Sequence, residues 1–545
     1  MYVQRLIEFA DHHEEKFPPI GYKRKDIQWV VDVEPTGLLV SPVKNLSLIV
    51  PDIGRSSNIK PILLADKPDY VFGFSANQKD QERAKERQLA FINLLKEYVA
   101  EVEDEDVKLL IHHLEMRTNI EEKFSSGDFI VFRVNDEEYL HEKSSVINFW
   151  GKYVSQDAGV ESDLTCMFCH ERRPILKRHS INFLIDKERT KMISANKNAY
   201  ESYGLKKSKI APTCFECEQK YGKALEYLLN KYKDRKLVGG PHMYSLGGVT
   251  YVYWLRNGEQ LNGSFSTFIS PKDKQSISDM RLLLDQVFKG VTIDQKVNNF
   301  CLLVLSANKA RLIVREYVEE SIGRIKERIE KFFDAQDVGQ GRYYGIYTLA
   351  STMYKKASTQ MEKYAIEEWM GWFLYGRPLS ARVLLPVLRR IQAEGTMYPK
   401  YGAVIKSWLV SQKDNEEEWS MPVKDKSDAY ITGQVFAILE RIQYVATNQK
   451  RTITGKFFAS ASTTPRSIMG MIIRNTQYYL DRLSNDKKTR GLAINYKKEL
   501  GQVLGKLEDF PSTLKLEEQA EFALGYYHQR QTYYESKNKN EKEDV

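Results

Sequence analysis

The chain has 545 residues, 42% hydrophobic and 28% charged, with 32 Tyr and 24 Phe, which is apolar surface enough for about two to four domains. Its net charge is only +8, so a polyanionic partner is implied only where the basic residues cluster. No apolar run approaches the roughly 20 residues of a membrane span, and residues 1–8 lack the basic and apolar regions of a secretory leader; the expectation is a cytoplasmic protein with no membrane attachment.

The first 17 residues read as a helix with Leu6, Phe9 and Ala10 on one side, ended by Pro18-Pro19. Ile27 to Val33 and Gly37 to Val40 predict a hairpin around Pro35-Thr36-Gly37, and Leu46 to Val50 a further strand. A polar, basic loop follows from Arg55 to Lys60, then strands at Ile62 to Leu64 and Tyr70 to Phe74. Gln78 to Ala100 is a helix, with Ala84, Gln88, Phe91 and Leu95 at helical spacing, and Phe129 to Val134 is a strand.

Two CxxC pairs come next: Cys166-Met-Phe-Cys169 and Cys214-Phe-Glu-Cys217. A two-residue gap lets both thiolates of a pair reach one ion, and two pairs complete a tetrahedron, so the four cysteines predict a structural Zn2+ site. A redox CxxC and buried apolar cysteines are the competing readings, and His170 and His179 flank the first pair as substitute ligands. Between the pairs, Lys177 to Thr213 carries nine Lys/Arg against three Asp/Glu.

Glu218 to Tyr232 continues as a helix, and Val249 to Trp254, Phe300 to Leu305 and Ala310 to Arg315 as strands, with Cys301 a core cysteine. Glu319 to Phe333 is an amphipathic helix. From about Met361 the strand signal stops, and successive apolar stripes predict a helical bundle. Thr464-Pro465 marks a helix start, with the threonine hydroxyl as cap. The expected fold class is an α+β N-terminal domain with a zinc-binding insert, followed by an all-α helical bundle. Its divisions are 1–165, the stapled basic insert 166–217, the α+β remainder 218–360, a bundle 361–536 and a disordered tail 537–545.

Catalytic constellations are missing from the sequence. It has no P-loop, no GxGxxG after a strand and no HExxH. His12-His13 and His112-His113 are adjacent pairs whose rings leave a helix in different directions. Four cysteines close a zinc shell, whereas catalysis needs an open position. The expectation is a protein that is not an enzyme.

Several segments together resemble one family. These are Phe300 to Arg315, Gly376-Arg377-Pro378 with Leu384 to Ile391, Phe457 to Pro465, Ala195 to Gly204 and Phe522 to Gln531. They are similar to the large subunit of the subtype I-C CRISPR Cascade complex. The resemblance implies a non-catalytic subunit of an RNA-guided complex that reads the protospacer-adjacent motif (PAM) of double-stranded target DNA. It also implies help in opening the duplex, a hold on the displaced strand and a dock for a helicase–nuclease. Partners implied are the guide RNA-containing backbone subunits and a small subunit. The bundle from about 421 looks like that small subunit, and Met421 is a candidate internal start. The nucleic-acid-binding candidates are Arg55, Asn58, Lys60 and Lys67 for the PAM duplex, and Lys197, Lys206, Lys207 and Lys209 in the insert for DNA backbone. The alternative is a stand-alone zinc-containing nucleic-acid-binding protein.

Overall fold

The computed structural model describes the chain except residues 1, 56–57, 75–79, 117–123, 136–137, 162–163, 196–197, 230–231, 234–235, 238–241, 260, 262–264, 272–274, 292–298, 413–426, 450–452 and 544–545; side chains are not described at 159–161, 232–233, 236–237 and 534–543. It is a mixed α/β structure rich in helices. The chain divides into two compact units. The first holds Met1–Gly240, Arg256–Gly258 and Leu303–Tyr317, and the second Pro241–Leu255, Glu259–Leu302 and Val318–Val545. The strands Phe300–Asn308 and Arg311–Glu320 carry the chain between them in sequence.

The first unit is built on a sheet. The hairpin is longer than its apolar pattern predicts: β1 is Tyr22–Glu34, and β2, Gly37–Pro51, absorbs the strand expected separately at Leu46 to Val50. β3 is Ala65–Asp66, β4 Ile130–Val134 and β5 Glu138–Tyr139. The order is β2-β1-β4-β3, with β5 on β4, and β1 runs parallel to β4. Lying between two neighbours, β1 buries Val30, Val31 and Val33 in succession rather than alternately. Its one buried charge, Asp32, is held bidentately by Arg133 of β4 at 2.6 and 2.9 Å. The helix Gln81–Val102 covers the core with Phe91, Leu95 and Tyr98, and Ser144–Ala158 adds Val146 and Trp150. Trp150 donates Nε1–H to the Gly21 carbonyl at 2.8 Å.

Two expected strands are not strands. Tyr70 to Phe74 has the aromatic and β-branched composition of one, but Pro68 opens a short helix, Pro68–Val71, with Lys67 as its N-cap. Ile62 to Leu64 is a buried turn leading into β3. The histidine pairs separate as their helices require: His12 contacts the Glu8 carbonyl at 2.7 Å, and His113 the Glu34 carbonyl at 2.9 Å.

In the second unit, Met243–Leu246 pairs antiparallel with Val249–Leu255. Every named element from Ile346 onward is a helix. The helix Asp428–Thr447 is buried along most of its length, and the last helix, Leu516–Glu543, packs along it and continues past residue 537, where an irregular tail was expected. Thr464 does precede Pro465 at a helix start, yet its hydroxyl makes no capping bond and instead donates to the Ser460 carbonyl at 3.4 Å.

The run Phe522-Ala-Leu-Gly-Tyr-Tyr527 has a packing reason. A Cβ on Gly525 would stand 2.1 Å from the Tyr430 carbonyl oxygen, and one on Gly433 2.0 Å from that of Phe522. The two backbones touch at these glycines. Gly525→Ala therefore forces the helices apart, and a destabilisation of about 3 kcal/mol is expected, the upper end for overpacking; denaturant unfolding at unchanged m-value checks it, and a shift under about 0.5 kcal/mol contradicts the crossing.

Candidate metal centre and nucleic-acid cleft

Around the first cysteine pair, Thr165 and Arg172 form an antiparallel bridge that closes a tight knuckle. The His170 N–H donates to the Cys166 carbonyl at 3.0 Å, and the Cys166 N–H to the Glu171 carbonyl at 2.9 Å. His170 reverses the chain with φ 59°. The second pair uses a helix instead: Cys214 is the N-cap of Phe215–Leu228, and Cys217 lies in its first turn. Backbone joins the two pairs, since Met167 N–H donates to the Pro212 carbonyl at 2.8 Å and Ile175 bridges Cys214.

All four Sγ atoms lie within 4.8 Å of one another, with Cys169 and Cys214 at 3.9 Å. A tetrahedral zinc with Zn–S near 2.3 Å sets its sulfurs about 3.8 Å apart. The donor set fits a metal ion. Hydrogen bonds from Cys214 and Cys217 hold the Cys166 thiol well below its ordinary value, while the contact with Cys166 pushes Cys214 up to about 12 and Cys217 further. Such crowded sulfurs are relieved when a cation replaces the protons. Neither substitute histidine joins the group: His179 bonds the Tyr221 hydroxyl at 3.1 Å, and the clustered ligands are the four cysteines alone among the described residues.

The insert is fastened to its helix beyond the cysteines. Arg173 pairs with Glu171 at 2.5 Å and with Glu216. The buried Glu218 accepts from the Ser180 N–H at 2.5 Å and its hydroxyl at 2.8 Å. Farther out, Lys206, Lys207 and Lys209 are all exposed on or beside the 3-10 turn Lys207–Ile210. Lys197 lies outside the described residues.

The loop candidates do not all share one place. Arg55, Asn58 and Lys67 line a cleft of about 370 Å³ together with Ile59, Asp69, Tyr70, Arg83, Arg87 and Ser126. Lys60 is not in the lining; its ammonium pairs with Asp157 at 2.5 Å. Arg55 faces inward: Nε–H donates to the Lys60 carbonyl at 2.7 Å, the guanidinium lies 4.0 Å from the Tyr70 ring, and a terminal N–H pairs with Asp66. Arg55 thus builds the wall, while Asn58 and Lys67 are exposed at its rim. Asp66 is fully buried and accepts also from the Ile62 and Lys67 N–H groups, each at 2.7 Å, so a single carboxylate ties both ends of the loop. Burial pushes its pKa up to about 6 against the pull of Arg55.

Arg83 and Arg87 are cleft residues that the linear reading missed. They stand one turn apart on Gln81–Val102, and Arg87 pairs with Asp69 at 2.5 Å. The available signal was the i, i+4 arginine pair on the helix that follows the loop.

One chain thus carries a basic cleft, a basic insert closed by four cysteines and a long run of helices. Residues 2–534 match the family described as CRISPR-associated protein (Cas_Csd1), and the chain belongs to that family. None of the curated proteins matches the chain.

Proposed function

We propose that the chain is the large subunit of a subtype I-C Cascade complex, a cytoplasmic, non-catalytic reader of the PAM. In this reading the α+β part faces the PAM duplex, and the helical bundle holds the displaced strand beside a small subunit. A helicase–nuclease is recruited after target binding, and Zn2+ on Cys166, Cys169, Cys214 and Cys217 is structural. The observation that carries it is the cleft, which sets the exposed Asn58 and Lys67 beside the cationic wall of Arg55, Arg83 and Arg87. Base edges suit the rim and phosphates suit the wall. Met421, the candidate small-subunit start, lies outside the described residues.

The test is reconstitution with guide RNA and the backbone subunits, with and without this chain, followed by binding to duplexes that differ only in the motif. The expected result is motif-dependent binding that needs the chain. Tight binding by the isolated chain, indifferent to guide and partners, supports the stand-alone reading instead. Lys67→Ala is expected to relax motif preference by about 1–3 kcal/mol; equal weakening on every duplex assigns Lys67 to phosphate. Glutamine at Lys206, Lys207 and Lys209 should flatten the salt dependence by about 0.9 for each phosphate that is no longer neutralised.

A further inference from the structure

The segment Ala195 to Gly204 carries one feature that neither the metal centre nor the cleft uses. Tyr203 is 98% exposed, the highest exposure of any large hydrophobic side chain among the described residues. It sits at the tip of a turn in which the Leu205 N–H donates to the Ser202 carbonyl at 2.8 Å and the same residues bridge. Both central residues have positive φ, 51° at Tyr203 and 71° at Gly204. That pattern calls for Asn-Gly or Gly-Gly, because a bulky side chain in the left-handed region clashes with its own backbone. The fold therefore bears a strained, solvated aromatic ring where a small residue relieves both costs.

The turn is held from both sides. Before it, Tyr200 stacks under Arg311 at 4.3 Å, and Lys191 forms a parallel bridge with Arg311 in the adjacent strand. After it comes the 3-10 turn Lys207–Ile210, whose Ser208 hydroxyl donates to the Lys177 carbonyl at 2.7 Å, a few residues before Cys214. An exposed ring on a braced turn, with three exposed lysines within six residues, matches a stacking platform beside a phosphate track.

Resting on the proposed DNA-reading role, we infer that Tyr203 stacks on an unpaired nucleobase while Lys206 and Lys207 meet the neighbouring phosphates. An unpaired base is favoured over a protein surface because three exposed lysines, 206, 207 and 209, stand against one exposed acid, Glu201, around this turn, and Leu205 is the one other exposed large apolar side chain beside the ring.

The test uses the full complex and two targets carrying the motif, one fully paired and one with a short unpaired bubble containing 2-aminopurine. Wild type and Tyr203→Phe should quench the probe equally. Tyr203→Gly relieves the backbone strain, so it folds, and should abolish the quenching and weaken bubble binding about tenfold. Unchanged quenching and affinity in Tyr203→Gly overturn the inference while leaving motif-dependent binding intact. Loss of subunit assembly in that variant makes the ring a protein-facing group and also overturns it. A wild-type complex indifferent to the motif, or one that binds no DNA, overturns the underlying reading and this one together.

Discussion

Cys214→Ser is expected to release the metal, unfold the insert and reduce DNA affinity together. Beyond the cysteines the insert is held by strands only two or three residues long and by the Arg173–Glu216 and Ser180–Glu218 pairs, while Cys169 and Cys214 stand 45 positions apart. Structural zinc contributes roughly 10–16 kcal/mol of apparent binding energy in small zinc domains, much of which appears as folding energy. Three ligands and a serine do not retain that. The expected measurements are less than half the wild-type zinc per chain, a proteolytic cut between residues 177 and 213 that wild type resists, and a shallower salt dependence of DNA binding. The paired sheet core, with its buried Val31, Ile130, Phe132 and Trp150, lies outside the insert and should keep its secondary structure. Zinc content at the wild-type level in Cys214→Ser removes the cysteine from the ligand set; reduced zinc with unaltered proteolysis removes the stapling role.

The cysteine cluster was legible because metal ligation demands particular residue types at short spacing, and both pairs carry them locally. The sheet was legible where apolar runs are long, as in β1 and β4. Legibility failed where tertiary context decides. Tyr70 to Phe74 reads as a strand, yet Pro68 fixes a helical start and Gly73, at φ 64°, ends it against Gln88. The cleft was half legible: a polar loop announces itself, but its opposite wall comes from Arg83 and Arg87 on a helix, joined to it through Tyr70 and Asp69. Lys60 looks equivalent to Arg55 in sequence and is drawn instead to Asp157, a residue far along the chain. The glycines at 433 and 525 each cost their helix about 1 kcal/mol relative to alanine, and their crossing explains them.

Asp66→Ala should weaken both stability and motif preference without removing any group from the cleft lining. The carboxylate is fully buried and satisfies Arg55 at the start of the loop and the backbone N–H groups of Ile62 and Lys67 beyond its end. Removing it leaves a largely buried guanidinium and two donors without their acceptor, a change that costs about 3–5 kcal/mol in buried pairs. Lys67 loses the bond that fixes its backbone, which on the proposed reading loosens its hold on a base edge. Asp66→Asn keeps one acceptor oxygen and should cost less. The pH dependence has a definite sign. Because the folded value is raised to about 6, the folded state binds this proton more tightly than the unfolded chain, so the group's favourable contribution is complete below about pH 4 and lost as pH rises through about 6. Relative to Asp66→Asn, wild type should therefore lose stability between about pH 4 and about pH 7, read as a change in unfolding midpoint. A difference that stays constant across that range refutes a buried titrating carboxyl. Wild-type motif preference in Asp66→Ala refutes the claim that this buried carboxylate, rather than the cleft's exposed residues alone, sets the geometry of reading.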